Sequence, residues 1–472
     1  MPTERILGSY ERFSLARSLA GVAPVVAVTA LLPADRLDPT QFATAIDSLL
    51  AEYPLLSCIV AAVTTTEPRF EPAPVTASNV LVDLADPPAE PPQALLAALE
   101  AVKDNGVEHA PLWRVWLSAT DAHGWRRVTL AVHHVLSDGS STRNIFAELL
   151  SRARTPRAAE PLEPMPVLPP TLEDSVDVRP GLLALLKALF DLNVLDHIPS
   201  FLRFWQAYPT FPSPPLVPPY QQGTSLKHLS LPSSSLARLN AAAKAHGVAT
   251  LHPVLYVAFL AALSTVAPRR TTLIGQSPMS LRNADRASHP PISGNYVCSL
   301  ETSHGEPAPL TPFWDACAAY GARIVDPAER ARAKGEMGFL GLLPNEPHVG
   351  ADEAAPQRTT FDTWMEDVLQ SEEPWKATFE VSNLGVLPAT GWEGDGGLDE
   401  VLWAQAGMAL GPAFAVNAIA VRGGSLAMSM TWRLGTVDEA TVAAIWEAYE
   451  RALRRLADEE VAQDVTFEGV AL

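Results

Sequence analysis

His133-His134-Val135-Leu136-Ser137-Asp138-Gly139 follows directly on a strand-like run. In that run Val128, Leu130 and Val132 alternate with Arg127, Thr129 and Ala131, the period-two pattern of a half-buried strand. Beyond Gly139, Ile145, Phe146, Leu149 and Leu150 recur at helical spacing, so a helix starts near Ser140 or Ser141. The heptapeptide therefore lies on a strand-to-helix turn, where side chains are presented at a sheet edge and ligands commonly bind. Its offsets suggest one imidazole to move a proton, one carboxylate to hold a loop and one glycine, Gly139, where a side chain would not fit.

His134 is the candidate general base, because a neutral imidazole can take a proton from a hydroxyl at neutral pH. His133 faces the opposite way in an extended chain and is assigned to packing or loop support. Asp138 has three readings: it could orient the imidazole as the acid of a triad does, pair with a distant arginine, or cap the helix. The arginine pair is favoured, since the chain has no G-x-S-x-G nucleophile elbow and direct transfer is expected instead of a covalent acyl-enzyme. The partner expected for Asp138 is Arg282, at the end of Gly275-Gln276-Ser277-Pro278-Met279-Ser280-Leu281-Arg282. After the strand-like Thr378–Val381, the segment Val381-Ser382-Asn383-Leu384-Gly385 reads as a turn, in which Ser382 or Asn383 could donate to an oxyanion or simply build the turn.

Other chemistries find no pattern. Adjacent histidines rarely bind one ion together, and the chain has neither H-E-x-x-H nor a Cys/His cluster, so no metal site is expected. Neither G-x-x-x-x-G-K-[ST] nor a G-x-G-x-x-G in strand-to-helix context is present, which removes the usual phosphate cradles. The net charge of −19 and the lack of a Lys/Arg stripe exclude nucleic acid as an expected partner.

A chain of 472 residues with 47% hydrophobic and 18% charged residues can bury large cores without a disulfide or metal. Its three cysteines, Cys58, Cys298 and Cys317, form no C-x-x-C pair and fit a reducing compartment. Met1-Pro2-Thr3-Glu4-Arg5 does not read as a signal peptide, and a cytoplasmic location is expected. Leu251–Ala267 is strongly apolar but contains His252 and Pro253 and is followed at once by Pro268, and it falls short of a membrane span. Proline density peaks between Thr155 and Pro170 and between Pro209 and Pro219, as in extended linkers. These stretches set an N-terminal half at 1–180, a helical and proline-rich linker at 181–225, and a C-terminal half at 226–472. Within the linker, Leu182–Tyr208 carries Leu186, Phe190, Phe201, Phe204 and Trp205 with only Lys187 and Arg203 as cations. A core or interdomain helix is favoured there over one lying on a membrane surface.

The heptapeptide resembles the signature of the acyl-CoA-dependent acyltransferase superfamily, which includes peptide-synthetase condensation domains and chloramphenicol acetyltransferase. Its ordered companions are Arg5-Ile6-Leu7-Gly8 with Glu11, Tyr53-Pro54-Leu55-Leu56, Pro278–Arg282, Gly294-Asn295-Tyr296-Val297 and Ser382-Asn383-Leu384-Gly385. Together they resemble the fungal alcohol acetyltransferase branch. The chain lacks the D-F-G-W-G segment of the plant branch. The resemblance implies an α/β fold of two chloramphenicol-acetyltransferase-like halves, each a mixed sheet flanked by helices, with a tunnel between them. It implies that His134 deprotonates the acceptor and that Asp138 is structural, paired with Arg282. It also implies an acyl-CoA co-substrate, acetyl-CoA by default, with no bound cofactor, and a small-molecule alcohol acceptor. A stand-alone condensation enzyme using a carrier-protein thioester and a non-catalytic lipid- or partner-binding member are the competing expectations.

Overall fold

The strand expected before the heptapeptide runs from Trp125 to His133 at the centre of a five-stranded sheet. Its order is Val401–Gln405, Val25–Pro33, Trp125–His133, Trp113–Ser118, Leu81–Leu84. All neighbours are antiparallel except the last pair. The computed structural model describes residues 4–85, 90–104, 106–108, 110–155, 168–193, 211–212, 223–268, 271–282, 293–305, 311–348, 358–370, 375–394, 396–457 and 465–472.

Alternation along these strands sorts two cores. Val26, Val28, Val128, Leu130 and Val132 face the helices Pro39–Glu52 and Gly139–Arg154, meeting Phe42, Ile46, Leu49, Ile145, Phe146 and Leu149. The small Ala27 and Ala131 point the other way and let helix Pro91–Asp104 approach through Leu95, Ala98 and Leu99. Pro39 occupies the first helical position, and the Asp38 carboxylate accepts from the Thr40 amide at 2.9 Å, as the sequence leads one to expect.

The second sheet has six strands, in the order Val297–His304, Leu273–Ser280, Trp375–Val386, Gly411–Ala420, Leu426–Arg433, Thr224–Leu231. Its two central pairings are parallel and the outer ones antiparallel. Helix Leu251–Ser264 is buried continuously from Pro253 to Leu263, which explains its unbroken apolar run. Among the described residues no helix is long and apolar enough to cross a membrane.

Two sequence readings change. Val381–Gly385 is not a turn: strand Trp375–Val386 runs through it, with a register shift between Asn383 and Val386. Gly385, at φ +70°, supplies the left-handed residue of this irregularity, so the turn-forming Asn and Gly make a bulge instead. The division at 226 is also crossed. Val401–Gln405 leaves the second sheet's stretch of chain to become an edge strand of the first, paired with Val26–Ala30. Helix Leu182–Asn193 exposes Leu182, Leu183, Leu186 and Phe190. The remainder of the expected 181–208 helical piece, and most of both proline-rich stretches, lie outside the described residues.

Candidate active site

The central strand ends at His133, and helix Gly139–Arg154 begins five residues beyond His134. Across this turn the two histidines part company. His133 is 1% exposed. Its Nδ1 accepts from the Val135 amide at 3.1 Å, so the ring proton sits on Nε2 and meets Ser18 Oγ at 2.7 Å. Ser18 in turn donates to the Ser14 carbonyl at 3.0 Å. Burial, with His134 and Arg17 nearby, pushes the His133 pKa down to about 3. This imidazole is a neutral strut.

His134 is half-buried. The Asn295 carboxamide nitrogen donates to the His134 carbonyl at 2.7 Å and lies 3.1 Å from its Nδ1. Nδ1 also addresses the residue's own carbonyl, a bond that favours the protonated ring. Nε2 makes no hydrogen bond to any described residue. The Tyr10 ring stands edge-on to the imidazole, with centroids 6.4 Å apart. Burial lowers the His134 pKa; Asp138 raises it and Arg17 lowers it again, giving a value of about 4. The ring is therefore neutral at neutral pH, the state a base requires.

Asp138 does not touch His134. One carboxylate oxygen caps the helix by accepting from the Ser141 amide at 2.8 Å. The other accepts from Arg282 Nη1 at 2.7 Å and from the Tyr296 amide at 2.8 Å. Burial alone would raise its pKa, but the Arg282 charge and these hydrogen bonds outweigh that and hold it below the usual carboxylate range. The capping and arginine-pairing readings thus hold in one geometry, because the two oxygens face different partners. Arg282 also donates to the Gly294 carbonyl at 3.0 Å and to Ser141 Oγ. The same carbonyl accepts from Ser141 Oγ at 2.8 Å and from the Asp138 amide at 3.2 Å. The Arg282 segment and the Gly294 loop of the second lobe are in this way bolted to the histidine turn of the first.

A Cβ on Gly139 would stand 3.0 Å from Leu384 Cδ2 and 3.7 Å from the Trp403 ring, so the glycine admits strand Trp375–Val386 close to the helix start. Along that strand Glu380, Ser382 and Leu384 share one face. Leu384 packs into the first lobe's core, and Ser382 is thereby turned to the same side. Its hydroxyl makes no hydrogen bond to a described residue. The Asn383 carboxamide oxygen is occupied, accepting from the Gly385 amide at 2.8 Å.

The sequence reading did not assign roles to Asn295, Ser141, Ser18, Tyr10 or Arg17. Asn295 stood inside a quoted segment, but its contact with His134 spans 161 residues and leaves no local pattern.

Two mixed sheets, flanked by helices and joined at a histidine turn, make a condensation-domain-like fold. Residues 93–276 match the family model described as alcohol acetyltransferase, a stretch that includes the whole heptapeptide. Among solved structures, the chain is similar to the condensation domain of the monacolin K polyketide synthase, with 13% identity, a TM-score of 0.65, and 98% of this chain and 99% of that chain covered. It is similar to trichothecene 15-O-acetyltransferase from Fusarium sporotrichioides, with 12% identity, a TM-score of 0.65, and coverage of 96% and 94%. It also resembles polyketide synthase associated protein 5 from Mycobacterium tuberculosis, with 16% identity, a TM-score of 0.60, and coverage of 97% and 98%. At these identities the likeness is one of fold. No curated protein matches the chain.

Proposed function

We propose that this acyltransferase moves an acyl group, acetyl by default, from coenzyme A to the hydroxyl of a small lipophilic or secondary-metabolite alcohol. His134 is the general base and no acyl-enzyme forms. The observation that carries this reading is the state of His134: half-buried, neutral, with Nδ1 facing the residue's own carbonyl and Nε2 free of described partners. With the ring proton on Nδ1, directed at the residue's own carbonyl, the Asn295 carboxamide bonds that carbonyl alone, and the Nε2 lone pair is left for the acceptor hydroxyl. As that proton moves to Nε2, the acceptor oxygen attacks the thioester carbonyl. The tetrahedral intermediate collapses with loss of the coenzyme A thiolate, which recovers the proton from His134. Ser382 is the better oxyanion donor of the two candidates, since its hydroxyl is uncommitted and Asn383 is tied to the bulge. Holding both reactants at one base supplies much of the acceleration. The alcohol acetyltransferase match and the likeness to a trichothecene O-acetyltransferase support a hydroxyl acceptor.

The test is thiol release from acetyl-CoA against a panel of alcohols and amines, wild type beside His134→Ala. Alcohol-dependent release that falls by about two to four orders of magnitude in the variant is expected. Full activity in the variant would overturn the mechanism. Absence of release with every acyl-CoA would move the donor to a carrier-protein thioester.

A further inference from the structure

Helix Ser9–Leu19 presents Tyr10, Phe13 and Arg17 along one face, at spacings of three and four residues. Tyr10 abuts His134 and stacks on Phe13 with centroids 6.3 Å apart, and the Arg17 guanidinium lies 5.8 Å from the Phe13 ring centroid. Ser18, the next residue, bonds His133. The face thus leads from the base to Arg17, about 10 Å along the helix from Tyr10.

Arg17 is 7% exposed, and its side chain makes no hydrogen bond or ion pair to a described residue. Its Nε is buried without a partner, as is that of Arg12, so the difference between the two lies in the terminal guanidinium nitrogens. Arg12, on the same helix, shows what the fold does with a structural arginine. It binds both Asp362 oxygens at 2.7 and 2.8 Å, Thr359 Oγ1 at 2.8 Å and the Val63 carbonyl at 3.1 Å. Around Arg17 no carboxylate is given over to it: Arg433, its cationic neighbour, has Glu100 as its own counter-charge. The facing carboxyl, Glu380, is held by Gln405 Nε2 at 2.8 Å. Burial pushes the Glu380 pKa up to about 7, so it supplies only part of a counter-charge. An uncompensated buried cation is costly, and it is tolerated where a ligand brings the missing anion.

We infer that Arg17 binds a carboxylate carried by the acceptor, making the substrate class a hydroxylated carboxylic acid. This rests on the acyl transfer proposed above. The anion belongs to the acceptor, because the phosphates of coenzyme A lie a full pantetheine arm from the thioester and the arm itself is neutral. A guanidinium and a carboxylate meet through two parallel hydrogen bonds, and Tyr10 and Phe13, the latter tilted against Trp364 at 6.4 Å, are the apolar side chains along which a stem between hydroxyl and acid would run.

The experiment measures stabilisation of the protein by hexanoate, with hexanol as the neutral control, followed by thiol release with hydroxyalkanoates and their methyl esters. Hexanoate is expected to raise the melting temperature of wild type and Arg17→Lys, but not of Arg17→Gln. Glu380→Gln removes the internal competitor and is expected to tighten hexanoate binding, a gain that a purely structural arginine would not give. With hydroxy acids, Arg17→Gln is expected to raise KM by about tenfold or more while kcat changes little. Hexanoate that fails to stabilise wild type, or stabilises Arg17→Gln equally, overturns the inference. Arg17-dependent hexanoate binding without thiol release would instead refute acyl transfer from coenzyme A and leave the carboxylate site standing.

Discussion

On the proposed mechanism His134 must be neutral where it works, and burial does more than neutrality demands. Its pKa lies at about 4, against roughly 6.5 for a free imidazole. The acid limb of kcat/KM, taken from initial rates after brief exposure to each pH, is therefore expected near pH 4 and not near 6.5. A limb at the higher value would mean that the ring is solvated in the working enzyme. His134 and Asp138 could be found in the sequence because fixed offsets within one turn are a local signal; Arg282, 144 residues from Asp138, was reached through the segment it closes and the family resemblance that segment carries. Asn295, Tyr10 and Arg17 were not, because each acts through a neighbour remote in sequence and none belongs to a spacing that chemistry alone demands.

At the scale of elements, the site depends on how helix Gly139–Arg154 begins. Asp138 caps it, and Gly294 approaches from the other lobe in a bridge with Ser137. Gly294 has φ +132°, and a Cβ there would collide with the Tyr296 ring. Its carbonyl meanwhile accepts three hydrogen bonds, from Asp138, Ser141 and Arg282. Gly294→Ala is expected to cost about 1–3 kcal/mol in urea unfolding and to lower acyl transfer, because the carbonyl and Arg282 move together. Normal stability and activity would show that the loop adjusts without loss. The sequence made this helix and its strand plain through alternation and capping. It misled at Val381–Gly385, where Asn and Gly signal a turn: the parallel partner Gly411–Ala420 keeps the strand extended, and a register shift absorbs the two residues.

For the whole molecule, the same burial that keeps imidazoles neutral couples the fold to pH. His133 is lowered to about 3, and His134, His252 and His304 to about 4. An unfolded chain takes up a proton at each of them below about pH 6.5, while the folded chain refuses it until near pH 4. The unfolded state thus binds more protons in that window, and stability falls as the pH drops through it. Glu380 works in the opposite sense. Its folded pKa of about 7 lies above that of a free carboxylate, so the fold gains from its protonation as the pH falls from 7. Four histidines displaced by comparable amounts outweigh one glutamate. The acid side of this chain is thus set by histidines in both lobes: His133 and His134 at the first sheet, His252 bonded to Ser277 and His304 to Tyr256 in the second. The edge strand Val401–Gln405 interlocks those lobes, so the loss is expected as one cooperative transition. Urea midpoints measured at intervals from about pH 7 to pH 4.5 are expected to be nearly flat at first and then to decline steadily below about 6.5. A midpoint that holds constant down to pH 4.5 would mean that these imidazoles protonate without unfolding the chain.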